Sequence, residues 1–440
     1  MRIILTFCLL FGAFLDSIAQ ERVQFSTSKS SVKLHFKLVN NLIILPINVN
    51  GVPLNFLVDT GVEETILFSL DEKKEIPLYN VEKIMLKGLG SQEAVEGLKS
   101  FKNTLSVKGV EFLNQEIIIV LDENLNFSSS LGIEVNGIIG YHFFNETIVK
   151  VDYDRRIMRL YNPELYDKSK VTRKHTAFDF TLEKAKPYLK LNVTMGTRNI
   201  EAKCLIDSGN SDGLWLFANL EKGIEIPLKH FDDYLGRGFS GGIYGKKAKV
   251  EKMTLGTYEF NDVITAFPDS ISLVNVRMVP NRLGSIGGEI LRRFNVIFDY
   301  QNKQLFLKEN KFYDEKFRYN SAGISIHHTG VQWYKEELPV KQFEVNQESH
   351  YEKEKGAALQ YNFKLLPIYE ILNVRENSAA EKAGLQVGDV VIKINGNRVY
   401  RMSLDKMNDL LKVDHGQDIK IVISRKGQEL TYEFKIVALL

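Results

Sequence analysis

Asn55-Phe56-Leu57-Val58-Asp59-Thr60-Gly61 is answered 148 residues later by Lys203-Cys204-Leu205-Ile206-Asp207-Ser208-Gly209. In each stretch a short apolar run delivers a carboxylate into a turn made of a small hydroxyl residue and a glycine. Runs this short, with β-branched residues, read as buried strands. A carboxylate at the end of such a strand is poorly solvated, and one buried alone is costly to ionise. Two placed together can share one proton, because like charges at short range resist joint ionisation. The ionised Asp then serves as base and the protonated Asp as acid, which activates a water without a metal. Asp-Thr/Ser-Gly also occurs in ordinary surface turns. These two copies stand apart because both follow an apolar run and both belong to a larger repeat.

The repeat extends on both sides of the two stretches. Gly137-Ile138-Ile139-Gly140 matches Gly284-Ser285-Ile286-Gly287, and Val151-Asp152-Tyr153 matches Phe298-Asp299-Tyr300. Residues 105–112, turned at Lys108-Gly109, match residues 253–260, turned at Gly256-Thr257. The offset is 147 or 148 throughout, which marks an internal duplication. Strands are expected at 32–37, 42–49, 54–58, 65–68, 110–112 and 116–121, with Asn40-Asn41 and Asn50-Gly51 as turns. A short helix is expected near 141–145, and strands at 148–153, 157–161 and 188–193. Long helical periodicity is missing from either half, so each is read as a compact, mostly β lobe.

Apolar-apolar-Asp-Thr/Ser-Gly followed by apolar-apolar-Gly, present in both halves, resembles the signature of the aspartic proteases. The short lobes look more like the retropepsin branch than the longer pepsin lobes. The resemblance covers about residues 30–310. It implies two closed, β-barrel-like lobes related by a pseudo-twofold axis within one chain, so that no oligomer is needed to complete the site. It implies that Asp59 and Asp207 meet as the catalytic pair on the cleft floor. Thr60 and Ser208 would hydrogen-bond across the lobe interface, and Gly61 and Gly209 would permit close backbone approach. Flaps would fall in the glycine-rich bends at 88–97 and 236–245, with Gly88, Gly90, Gly242 and Tyr244 as candidates. Val62, Asn210 and Ser285 depart from the family pattern without removing a carboxylate. The implied activity is an aspartic endopeptidase acting on peptide or protein substrates, with no metal and no cofactor. The alternative is a catalytically silent peptide-binding or scaffold protein that keeps the fold.

The C-terminal part changes character. Ser378-Ala379-Ala380-Glu381-Lys382-Ala383-Gly384-Leu385-Gln386-Val387-Gly388-Asp389 reads as a capped short helix, a glycine stop and a tight turn. Val390-Val391-Ile392-Lys393-Ile394-Asn395-Gly396 continues it as a strand and a turn. The stretch resembles bacterial PDZ domains. Residues 403–411 would then be the helix lining a peptide groove, and 418–424 with 429–436 a hairpin turned at Lys426-Gly427. PDZ domains bind a protein C-terminus through backbone N–H groups and add it as a strand. Ser321-Ala322-Gly323-Ile324 is the favoured binding loop, which singles out Ala322, Gly323 and Ile324, with 324–328 as the receiving strand. Gly356-Ala357-Ala358-Leu359 is the rival. The charged stretch 336–355 reads as a solvated insertion.

Composition sets the remaining bounds. The chain has 440 residues, a net charge of +2, 44% apolar and 25% charged residues, which suits a globular protein and leaves no electrostatic footprint for nucleic acid. Arg2, the apolar run after it and Ser17-Ile18-Ala19 read as a secretory signal over residues 1–19. That implies export to the periplasm or the exterior. Later in the chain, no run approaches the roughly 20 apolar residues of a membrane span. Once the signal is removed only Cys204 remains, without a disulfide partner and more suited to packing than to reaction. The expected division is residues 20–165 and 166–315 for the lobes and 316–440 for the PDZ domain, with an insertion near 330–360. Competing chemistry finds no motif. His-Glu-x-x-His and phosphate-binding loops are missing, the Gly-x-Ser-x-Gly spacing at 238–242 falls inside the glycine-rich bend and makes no nucleophile elbow, and His327-His328 would face opposite ways on a strand.

Overall fold

The computed structural model describes residues 23–26, 30–68, 75–86, 95–121, 127–238, 241–274, 279–338 and 360–440. The signal expected at 1–19, the bend bearing Gly88 and Gly90, and the rival loop at 356–359 lie outside those residues.

Turn chemistry shapes the hairpins first. Asn50-Gly51, Lys108-Gly109 and Lys426-Gly427 all take positive φ at both positions, which is the two-residue turn whose twist matches that of the strands it joins. Each turn sets a register: Val49 opposes Val52, Val107 opposes Val110, and Arg425 opposes Gln428. Beyond the Lys108-Gly109 turn, the two short strands expected at 110–112 and 116–121 are one strand, Val110–Val120.

Among the described residues the N-terminal sheet has nine strands. Gly137–Ile139 runs parallel to Val52–Val58, with Ile139 beside Val58, and antiparallel to Thr65–Leu67. The next sheet repeats the arrangement: Arg282–Ile286 runs parallel to Arg198–Ile206, with Ile286 beside Ile206, and antiparallel to Leu214–Leu216. In both sheets the pairing returns on itself. Val95–Val107 pairs with Val110–Val120 in the first, and Lys186–Met195 with Gly241–Leu255 in the second. Each closes a ring of six strands. A third sheet, of six strands, takes members from both halves and joins them where Ile148–Asp152 pairs with Phe294–Asp299. Its inner face shares one core with the other two, through fully buried Val149, Val151, Val296 and Phe298. Burying each such side chain contributes about 1.5–3 kcal/mol, so the halves are held together by apolar area as well as by strand pairing.

Residues 320–338 and 360–440 include a separate core around Ile324, Ile371, Leu404, Met407 and Ile421. Their sheet runs in the order Ile324–Leu338, Gln360–Val374, Val390–Ile394, Asp418–Arg425 and Gln428–Lys435. Residues 336–338, expected within a solvated insertion, instead extend the first of these strands, and Gln360–Val374 pairs with it along its length. Ser378 caps the helix Ala379–Ala383 by accepting from the Glu381 N–H, and Gly384 ends it at φ 96°. Among the described residues no helix is long and apolar enough to cross a membrane.

Candidate active site

The two aspartate turns are placed by the parallel strand beside each of them. The Asp59 N–H donates to Ile139 O and the Asp207 N–H to Ile286 O, both at 2.9 Å. Each apolar-apolar-Gly motif is thus the neighbour that fixes where its carboxylate emerges. The hydroxyl residues then cross between halves. The Thr60 N–H donates to Ser208 Oγ at 3.0 Å, and the Ser208 N–H donates to Thr60 Oγ1 at 2.9 Å. Thr60 Oγ1 donates onward to Ile206 O at 2.7 Å, and Ser208 Oγ to Val58 O at 2.9 Å. Every donor in this buried cross-link has an acceptor, which is what makes such a network favourable.

The glycines leave the space the carboxylates need. A Cβ on Gly209 would stand 2.2 Å from Asp59 Cγ and Oδ2. A Cβ on Gly61 would stand 3.1 Å from Asp59 Oδ1 and 3.0 Å from Asp207 Oδ1, so the two carboxylates flank one turn. Gly61 also donates its N–H to Asp59 Oδ1 at 2.6 Å.

Burial and the neighbouring Asp207 charge push the Asp59 carboxyl up to about 7. Burial also raises Asp207, against the opposing pull of Arg282 and Lys186. Neither cation was singled out from sequence. Lys186 lies one turn away from its strand partner Glu183 and carries no motif, so only the fold brings it near the pair.

Both carboxylates open into a cavity of about 1340 Å³. Its lining mixes apolar side chains, among them Leu57, Ile66, Ile118, Trp215 and Ile264, with charged ones from both halves, among them Glu63, Glu64, Lys186, Arg237 and Arg282. A glycine-rich ribbon, His230–Gly238 paired with Gly241–Leu255, borders it. Tyr234, Leu235 and Gly236 of the ribbon line the cavity. Tyr244, expected as the flap aromatic, does not. It is 54% exposed, and its ring stands edge-on to its cross-strand partner Tyr234 at 5.4 Å. Directly paired residues share a ribbon face, and here Tyr234 takes the cleft side of that face. Gly242 lies opposite Arg237, where a Cβ would come 3.0 Å from the Tyr244 ring, so it serves ring packing within the ribbon.

The favoured PDZ loop also reaches the cavity, through Gly323 and Ile324. Ala322 is fully buried and its N–H donates to Leu411 O at 3.2 Å. The Gly323 N–H donates to Asn320 Oδ1 at 3.0 Å. Two of the amides expected to receive a peptide carboxylate are therefore engaged within the chain in this conformation. The groove between Ile324–Leu338 and the helix Leu404–Leu410 faces the first half of the chain. There the Asn40 N–H donates to Asp405 Oδ1 at 2.8 Å, Asn408 Nδ2 donates to Asn40 Oδ1 at 3.1 Å, and Ser129 Oγ donates to His328 O.

Comparison with known proteins agrees with these two parts. Residues 45–143 match the family model for aspartyl proteases, and residues 370–425 match that for PDZ domains. A probable CtpA-like serine protease of Staphylococcus haemolyticus (strain JCSC1435) is 37% identical over 65 residues, which is 15% of this chain and 13% of that protein. A match of that length cannot contain both Asp59 and Asp207. The crystal structure of the aspartic proteinase from Irpex lacteus aligns with 65% of this chain and 99% of its own, at 12% identity and a TM-score of 0.42. Residues 45–143 are thus similar to aspartyl proteases and residues 370–425 to PDZ domains.

Proposed function

We propose that the chain is an aspartic endopeptidase in which Asp59 and Asp207 activate a water, with the PDZ domain serving peptide or partner binding. The observation that carries this reading is the reciprocal packing of the two turns: each glycine lies against the other turn's carboxylate, and each hydroxyl bonds the other turn's amide. A pair that shares one proton at neutral pH has an acid and a base side by side. The ionised carboxylate takes a proton from water, the water oxygen attacks the scissile carbonyl carbon, and the protonated carboxyl donates to the carbonyl oxygen. The resulting gem-diol collapses as its C–N bond breaks and the amine leaves with a proton. No acyl-enzyme forms, and no metal is called for. The leader-like residues 1–19 support an exported enzyme.

The test is cleavage of an unstructured peptide library by wild type, Asp59→Asn and Asp207→Asn. Cleavage by wild type alone, blocked by a transition-state mimic with a tetrahedral hydroxyl, is the expected result. Equal cleavage by all three would overturn the reading.

A further inference from the structure

A chain of alternating charges runs from the PDZ domain to the loop that follows Asp207. It starts at Arg375, just past the strand Gln360–Val374, with a side chain only 3% exposed. Arg375 Nε donates to Asp233 Oδ1 at 3.0 Å, and its guanidinium stacks 4.2 Å from the Phe231 ring centre. Asp233 and Phe231 belong to the first strand of the ribbon bordering the cavity. Asp233 Oδ2 lies 3.6 Å from Lys247 Nζ on the second strand, and Lys247 Nζ reaches Asp212 Oδ1 at 3.3 Å. Asp212 sits five residues after Asp207, and its Oδ2 accepts from Trp215 Nε1 at 2.8 Å. All four charged residues line the same cavity as Asp59 and Asp207.

Charges removed from water are costly unless each meets its opposite, and breaking one link strands the next. Burial works against the charge on Lys247, but Asp212 and Asp233 outweigh it and hold its pKa above the usual lysine value. The order plus, minus, plus, minus gives the ribbon one position in which every member is paired. The PDZ end is tied to the binding loop: Arg375 Nη1 donates to Asn320 O at 2.8 Å, and the Arg375 N–H donates to Gly323 O at 2.7 Å.

We propose that Arg375 is a positioning residue for the cleft, holding the ribbon and the Asp212 end of the catalytic loop in place through Asp233 and Lys247. The PDZ domain is then a working wall of the site, and whatever moves loop 320–323 moves the ribbon. The role in catalysis rests on the peptidase reading above; the mechanical coupling does not.

The experiment therefore has one readout with substrate and one without. Hydrogen exchange is followed in full-length wild type, Arg375→Met and Arg375→Lys. In Arg375→Met the amides of 207–212 and 230–238 are expected to exchange at least about tenfold faster, while the sheet joining the halves stays protected. Arg375→Lys keeps the charge but not the fork, and falls between; it also carries the test if Arg375→Met does not fold. On a peptide that wild type cleaves, KM is expected to rise about tenfold in Arg375→Met with kcat within about threefold, the pattern of substrate binding lost at a loosened cleft wall. Faster exchange confined to residues 320–440, with the ribbon unchanged, overturns the proposal. If wild type cleaves nothing, the peptidase reading fails, and the exchange data still decide the coupling.

Discussion

Thr60 and Ser208 exchange hydrogen bonds across the two halves, each N–H donating to the other's hydroxyl, at 3.0 and 2.9 Å. Thr60 is fully buried and Ser208 nearly so, and water cannot replace a lost partner. Ser208→Ala leaves the Thr60 amide without an acceptor and is expected to cost about 1–3 kcal/mol. Ser208→Thr keeps the oxygen and should cost less. Denaturant midpoints of the three proteins decide this; equal midpoints would mean that the cross-link contributes nothing.

Gly209→Ala should abolish function while sparing the fold. Its Cβ would overlap Asp59 Cγ at 2.2 Å, so the carboxylate must turn away. Misplacement of a reacting group by about 1 Å costs about a hundredfold in rate, and a loss at least that large is expected in kcat. An unchanged circular dichroism spectrum with normal kcat would show that the carboxylate has room elsewhere.

Stability should carry the mark of the buried carboxyl. Asp59 rises from its ordinary 3.8 to about 7, chiefly through burial and then through the Asp207 charge. A carboxyl with a raised native pKa holds its proton more tightly when folded. Its contribution is full below about pH 3.8 and is lost as pH rises through about 7. At about 1.4 kcal/mol per pH unit the gap is worth at most about 4 kcal/mol. Asp59→Asn, which cannot ionise, should therefore be more stable than wild type at pH 8 and close to it at pH 4. Urea unfolding at the two pH values measures the difference, and a gap independent of pH would contradict it.

On the proposed peptidase reading, the same proton sets the rate profile. The shared proton leaves as pH rises past about 7, so kcat/KM should fall on the alkaline side with an apparent pKa near that value. A rate that stays level through pH 9 would place the general acid elsewhere.

Cys204 should resist alkylation in the native protein. It is fully buried, and burial pushes its thiol up to about 12, so little thiolate forms and no reagent reaches it. Mass spectrometry after iodoacetamide treatment should find Cys204 modified only in denaturant. Rapid native labelling would mean that the strand Arg198–Ile206 opens readily.

The aspartate turns, their glycines and the duplication were legible because each is written locally. An apolar run ending in Asp-Thr-Gly or Asp-Ser-Gly needs no distant partner to be read, and Asn50-Gly51 or Lys426-Gly427 carries its own turn geometry. The PDZ stretch was legible for the same reason, through the Ser378 cap and the Gly384 stop. Gly137–Ile139 and residues 284–286 were legible as one motif repeated at the same offset, while their place beside the aspartate turns came from strand pairing.

Tyr244 shows where that reading stops. Glycine content located the ribbon, but only the pairing of Tyr244 with Tyr234 settled which ring faces the cavity. The fate of 336–338 was hidden too, since a charged strand and a charged loop look alike until a partner strand is known. Arg375 and Asp233 are 142 residues apart and sit in unrelated local patterns, so nothing in either stretch announces the other. By itself the sequence determined the carboxylates, their turns and the resemblance of each part to a known family. Only the tertiary structure decided that the PDZ loop opens into the carboxylates' cavity and that charges from the PDZ domain, the ribbon and the loop after Asp207 form one chain. The physical reason is range: turn and strand preferences act over a few residues, whereas the pairing of buried charges depends on positions that exist only once the chain has closed.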